Sequence, residues 1–126
     1  MQVIYLNVND NQPPEARQIK DELQTFYDLI ECDTIDIVRR KIGKRYFHIV
    51  CDDEGALMDC AKISAISNLG EIRLVGNLVI CSDLIGNGEN LVGLSDDEAE
   101  YVKQYIEFFR TRQHPEGYHI LTQCEY

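Results

Sequence analysis

Glu71-Ile72-Arg73-Leu74-Val75-Gly76-Asn77-Leu78-Val79-Ile80-Cys81 is the longest apolar run of the chain that is also rich in β-branched residues. Gly70 precedes it and Ser82-Asp83 follow it, so turn-forming residues bound it on both sides. A run that is apolar on both faces suits a central strand covered above and below. Gly76 falls inside the run, where a glycine marks a bulge or a close backbone approach. The reading is one continuous central strand, with every other element paired to it or packed on it. Added bulk at Gly76 is then expected to overpack the core.

Before this run, Gln2 to Val8 read as a strand, and Asn9-Asp10-Asn11-Gln12-Pro13-Pro14 as a loop, because Asx residues favour turns and proline cannot join a ladder. Residues 15–19 open a helix or form a short strand antiparallel to the first. Ile19, Leu23, Phe26, Tyr27 and Ile30 recur on one helical face, with Lys20, Asp21, Glu22, Gln24 and Asp28 opposite, and the helix is expected to end near Glu31-Cys32. Thr34 to Val38 and Tyr46 to Cys51 read as a β-hairpin whose turn, Arg39 to Arg45, carries five basic residues around Gly43. Asp52-Asp53-Glu54-Gly55 is an acidic turn, and Ala56 to Ser67 a short strand with an irregular connection.

After the run, Gly86-Asn87-Gly88 is a turn signal. Ser95-Asp96-Asp97-Glu98 then fits a capping box, and the acids of this first turn suit the positive end of a helix dipole. Val102, Tyr105, Ile106 and Phe109 give that helix a buried face, Arg110 and Arg112 sit near its end, and Pro115 and Gly117 stop it. Tyr118 to Thr122 form a last short strand, at an edge or in an oligomer contact. The order gives an α+β fold: an antiparallel or mixed β-sheet with two main helices packed on it, in a single domain.

The chain has 126 residues, enough for one domain with one core. No apolar run is long enough to span a bilayer, and Met1 to Asn7 lack a basic n-region and a cleavage site, so a cytoplasmic protein is expected. The five cysteines form no C-x-x-C pair, and His48, His114 and His119 stand at no zinc-finger spacing from them. They read as reduced thiols, with no metal and no cofactor. The acidic cluster Asp52-Asp53-Glu54 with Asp59 lacks the alternating ligands of a calcium loop. There is no G-x-S-x-G, H-E-x-x-H, P-loop or G-x-G-x-x-G motif, and Cys60 beside Asp59 is not enough for a thiol nucleophile, so a non-enzyme is expected.

A net charge of -10 argues against direct nucleic-acid binding, which needs a basic footprint. It suits plain solubility, or approach to a protein partner with a basic surface. Asp97, Glu100 and Glu107, off the apolar face of the last helix, are the expected partner-binding acids. Arg39, Arg40, Lys44 and Arg45 of the hairpin, with Asn77 near the organising strand, are the candidate phosphate or ligand contacts, since guanidinium groups fit phosphate in a bidentate fashion. The plainer reading, which is favoured, is a charged turn pairing with the acidic remainder.

Four stretches carry a resemblance: Ile19 to Val38; Val50-Cys51-Asp52-Asp53-Glu54-Gly55-Ala56-Leu57-Met58; Gly70 to Cys81; and Leu94-Ser95-Asp96 before a helix. Together they resemble the phage and mobile-element family known as domain of unknown function thirty-eight forty-six. The likeness covers roughly residues 1–110 and leaves 111–126 as a C-terminal extension. Members often follow the Glu-Gly turn with Leu-Pro-x-Asn-Arg, where this chain has Asp59-Cys60-Ala61-Lys62-Ile63. The resemblance implies a counter-defence protein, because some members look like inhibitors of a CRISPR nuclease, and it supplies no catalytic residues. The expectation is a non-enzymatic inhibitor of a bacterial immune effector, with no membrane contact. The alternatives are a sponge that sequesters a nucleotide signal, or an accessory protein without a defence role.

Overall fold

The computed structural model describes residues 1–10, 12–32, 34–52, 62–84 and 91–126. The acidic turn at Asp53-Glu54-Gly55, the pair Asp59 and Cys60, and the turn signal Gly86-Asn87-Gly88 lie outside them.

The decisive run is two strands. β1 (Gln2–Leu6), β2 (Ala16–Gln18), β3 (Ile35–Ile42), β4 (Arg45–Asp52) and β5 (Ile63–Ile66) come first. The run then gives β6 (Ile72–Val75) and β7 (Leu78–Ser82). β8 (Ile106–Phe109), β9 (Tyr118–Leu121) and β10 (Cys124–Glu125) complete the strands. The large sheet runs β10-β3-β4-β7-β1-β2 with antiparallel neighbours; the small one runs β6-β5-β9-β8, with β5 and β9 parallel. β6 is therefore an edge of the small sheet and β7 an interior strand of the large one.

Gly76 makes the crossing. Its φ of +76° ends the extended backbone, and its N–H donates to Lys62 O at 2.8 Å. A Cβ built there meets nothing within 4 Å. The expectation of crowding at Gly76 is thus overturned: the constraint is the left-handed conformation, which side chains disfavour. Asn77 follows, buried, and accepts from Val8 N–H at 3.1 Å. All five residues of β7 are buried, as two-sided cover requires.

β7 alternates between two cores. Leu78 and Ile80 cluster with Ile4, Leu6, Phe47 and Ile49, and with Ala99 and Val102 of α2 (Asp96–Lys103). Val79 and Cys81 cluster with Val3 and Val50, and with Phe26 and Ile30 of α1 (Leu23–Ile30). Full burial of one such side chain is worth roughly 1.5–3 kcal/mol. The α+β class holds, with strands dominating.

Several boundaries differ from expectation. Residues 16–18 take the strand alternative, pairing β1 in the register Gln2↔Gln18. Ile19 is outside the helix, because its N–H donates to Met1 O at 2.9 Å. The hairpin turn is only Gly43-Lys44; Arg39, Arg40 and Lys41 lie in β3 and Arg45 opens β4. The second helix stops at Lys103, and Ile106–Phe109 form a strand instead. Aromatic and β-branched residues favour that choice. Tyr105 O also receives Thr122 N–H at 2.7 Å and Thr122 Oγ1 at 2.9 Å, drawing the chain into the small sheet. Pro115 and Gly117 therefore shape a β8–β9 connection. Tyr118–Leu121 is not an edge: it lies between β5 and β8 with all four residues buried.

Candidate interaction surface

The hairpin tip and α2 meet at one corner. Ser95 caps α2 reciprocally with Glu98, at 3.1 Å for Glu98 N–H to Ser95 Oγ and 3.0 Å for Ser95 N–H to Glu98 Oε1. The other Glu98 oxygen accepts from Ser82 Oγ at 3.0 Å. Tyr101 OH donates to Ile42 O at 3.0 Å and accepts from Lys44 N–H at 2.8 Å. Gly43 lets the turn approach, since a Cβ there would lie 2.5 Å from the Tyr105 ring.

This corner brings the two predicted sets of site residues together and engages their charges. Arg45 pairs with Asp97 at 3.2 Å. Lys103 pairs with Glu100 at 2.9 Å and with Glu15 at 3.1 Å. Gln2 Nε2 donates to Asp96 Oδ1 at 3.1 Å. Glu107 stands apart, exposed on β8.

Arg39 and Arg40 of the hairpin are also engaged. Arg39 grips Asp83 in a fork, Nε to Oδ1 at 2.6 Å and Nη2 to Oδ2 at 2.9 Å, while its guanidinium lies 4.0 Å from the Tyr46 ring centroid. That fork holds the Asp83 carboxyl below the usual carboxylate range and raises Arg39. Arg40 donates to Arg39 O at 3.0 Å and lies over the Tyr126 ring. Lys44 is exposed at the turn.

Asn77 is a bracket. Its Nδ2 lies 3.1 Å from Leu29 O, 2.9 Å from Glu31 Oε2 and 3.3 Å from Tyr5 OH. With Val8 N–H on its oxygen, the amide is taken up by the fold. It precedes β7 while Asp83 follows β7, so Asn77 and Arg39 occupy opposite ends of that strand.

α1 is built differently. Glu22 at its N-cap makes no side-chain capping bond, and its C-cap Glu31 has a φ of 61°. Its C-terminal end is tied down by Tyr5 OH donating to Leu29 O at 2.6 Å and by Asn77. Asp21, Glu22, Asp28 and Glu31 are exposed. None has a cationic partner among the described residues. Asp28 takes only a neutral bond from Gln24, at 2.9 Å. Asp28 and Glu31 border an open depression with Gln24, Tyr27 and Cys32. The helical pattern put Asp21, Glu22 and Asp28 on the solvent face. What distinguishes them from the acids of α2 is that they form no ion pair among the described residues, which spacing does not reveal.

The described residues contain no group of three metal-ligating side chains. His48 Nδ1 lies 3.1 Å from Ser82 O, and His114 stands 3.7 Å from Glu116. His119 is buried edge-on to Phe108, and burial lowers its pKa. Burial pushes the Cys81 thiol up to about 12 and Cys124 to about 11, the opposite of an activated nucleophile. No helix among the described residues is long and apolar enough to cross a membrane.

No curated protein and no solved structure matches the chain. Residues 1–110 match the model of a domain of unknown function, DUF3846, and the chain belongs to that family.

Proposed function

We propose that this protein acts by binding, without turnover, as a small acidic cytoplasmic accessory protein that occupies the basic surface of a bacterial immune effector. A CRISPR nuclease is the first candidate, because the family resemblance points to phage and mobile-element counter-defence. The observation that carries the reading is the unequal use of charge. The acids of α2 are engaged within the fold, while Asp21 and Glu22 just before α1 and Asp28 on it face solvent with no ion pair among the described residues. With a net charge of -10, such a face attracts a basic groove before contact. Salt weakens that pull, since the Debye length at physiological ionic strength is about 8 Å.

The nucleotide-sponge reading draws little from its proposed contacts. Arg39 and Arg45 already hold carboxylates, and the Asn77 amide is buried and bonded.

The test is a plating assay. Cells carrying an active CRISPR nuclease, challenged with a phage it targets, are given the protein; restored plaque formation is expected. Undiminished interference across the nuclease classes tried argues for an accessory role outside defence. A nucleotide released on heating the purified protein overturns the binding-inhibitor reading in favour of the sponge.

A further inference from the structure

The connection between β8 and β9 builds a second site, independent of α1. Thr111-Arg112-Gln113-His114 close a turn: Thr111 N–H donates to His114 O at 3.3 Å, and His114 N–H donates to Thr111 O at 3.2 Å. Thr111 Oγ1 also accepts from His114 N–H at 3.0 Å, which leaves the hydroxyl proton free to donate. Tyr118, buried at the start of β9, gathers two side chains around its ring. Lys62 Nζ lies 5.3 Å from the ring centroid, and the His114 ring stands edge-on at 5.8 Å. Lys62, Ile63, Thr111, Arg112, His114 and Tyr118 line an open cavity of about 340 Å³.

The charge of this cavity runs against that of the chain, which has 22 acids and 12 Lys and Arg residues. Three other depressions each carry two carboxylates: Asp28 and Glu31, Asp10 and Glu15, and Asp10 and Glu116. No Asp or Glu among the described residues lines this one. Glu116 lines the adjoining depression, on which Lys62 also borders. Its Oε1 lies 3.9 Å from Lys62 Nζ and 3.7 Å from His114 Nδ1, both too long for a hydrogen bond. The Lys62 side chain is 18% exposed, yet its ammonium, with three donors, makes one hydrogen bond among the described residues, 3.4 Å to Val8 O. Arg112 forms no ion pair among the described residues. Arg39 and Arg45, by contrast, hold carboxylates at 2.6 and 3.2 Å. The positive donors around this cavity are unspent.

We propose that this cavity binds a phosphate group, either free or carried by a small molecule. Arg112 supplies a fork of parallel N–H donors, which matches two phosphate oxygens, and Lys62 supplies a point charge. The Thr111 hydroxyl and the His114 imidazole add neutral donors at the rim. Ile63 and Tyr118 give the apolar wall usual in small-molecule sites. The volume stands near the lower end of the roughly 300–1,000 Å³ of such sites, so the fit is to a phosphate with a small body. The hairpin cations take no part: this site is built by the β8–β9 connection and the start of β5.

The experiment titrates the isotope-labelled protein with inorganic phosphate and, separately, with adenosine monophosphate, at constant ionic strength, and follows the backbone amide resonances. Saturating shifts are expected at Thr111, Arg112 and His114, with the hairpin turn at Lys44 unmoved. Tighter binding of the nucleotide supports a phosphate carried on a small body, and equal binding supports free phosphate. Lys62→Met keeps the stem on Tyr118 and removes the ammonium; Arg112→Gln removes the fork at an exposed position. Each should weaken binding at least about tenfold, and Arg112→Lys should restore only part of the loss. Lys44→Gln should leave affinity within about twofold. Should Lys62→Met fail to fold, the exposed Arg112→Gln decides. Shifts that do not saturate below about 10 mM of either ligand overturn the proposal. So do Arg112→Gln binding as tightly as wild type and shifts centred on the hairpin turn. Any of these results leaves the α1 reading untouched, since no residue of α1 lines this cavity.

Discussion

The two helices differ in how much charge they carry and in how they hold it. Both have eight residues, and their buried side chains join different cores on the two sides of β7. α2 begins with a complete capping box, three acids in its first turn and Lys103 in its last. Its acids serve the cap, Arg45, Lys103 and Gln2. α1 has no acid in its first turn and no side-chain cap. Asn77 and Tyr5 hold its C-terminal end instead, and its exposed acids are left to solvent. An acidic helix is thus not in itself a binding surface.

The largest effect should come from cutting the bracket that holds α1. Asn77→Leu strands Val8 N–H and removes the donor to Leu29 O and Glu31. A loss of about 2–4 kcal/mol is expected in chemical denaturation. A smaller loss would mean that the Tyr5 hydroxyl and apolar contacts hold α1 without Asn77.

Next is the hinge before it. Gly76→Ala should cost about 1–2 kcal/mol because of the positive φ. Gly76→Asn should recover part of that, since asparagine tolerates the left-handed region. Crowding predicts the reverse order, with the larger asparagine worse, so the pair of melting temperatures decides between the two causes.

Ser95→Ala should lower stability by about 1 kcal/mol, the usual worth of a cap. The matching Glu22→Ala at α1 should change it by less than about 0.5 kcal/mol, as an ordinary surface substitution does. Equal losses would erase the contrast between the helices.

The smallest effect is alkaline. Two thiols from the two cores carry the effect: Cys81 on the α1 side and, in a core that also holds Cys51, Cys124 on the α2 side. Burial raises them from 9.0 to about 12 and about 11. A group whose folded pKa lies above its unfolded value contributes fully below the unfolded pKa, and that contribution is lost as pH rises through the folded one. Stability should therefore decline above about pH 9. In denaturation midpoints taken at about pH 8 and about pH 10.5, Cys81→Ala and Cys124→Ala should each flatten the decline, because both folded values lie above that window. An unchanged decline in both variants would mean that the buried thiols do not cause it.

The same physics explains how much was legible in the chain. The Ser95 cap was readable because it is local, needing only Ser95 and Glu98 three residues apart. β1 and the hairpin strands were readable from their apolar patterning. The crossing at Gly76 was not, since a bulge and a change of sheet both place a glycine inside an apolar run. Ile106–Phe109 fitted a helical face and became a strand through Thr122, which lies far along the chain. β9, β10 and Tyr126 fall beyond the residues that match the family, yet they supply an interior strand and the ring beside Arg40 and Arg73. Among the predicted site residues, Arg45 and Asp97 were each singled out for a separate role, and their pairing required the hairpin tip to reach α2.

The central claim, that the charge left over by the fold lies on α1 and does the binding, is tested most directly by association kinetics. Two variants, Asp21→Lys with Asp28→Lys and Asp97→Lys with Glu100→Lys, are checked for folding by circular dichroism. Each is then flowed at low salt over an immobilised CRISPR nuclease that the wild type inhibits. Reversal on α1 should slow association about tenfold or more, while reversal on α2 should leave it within about twofold. Equal slowing by both variants, or slowing confined to α2, would contradict the account.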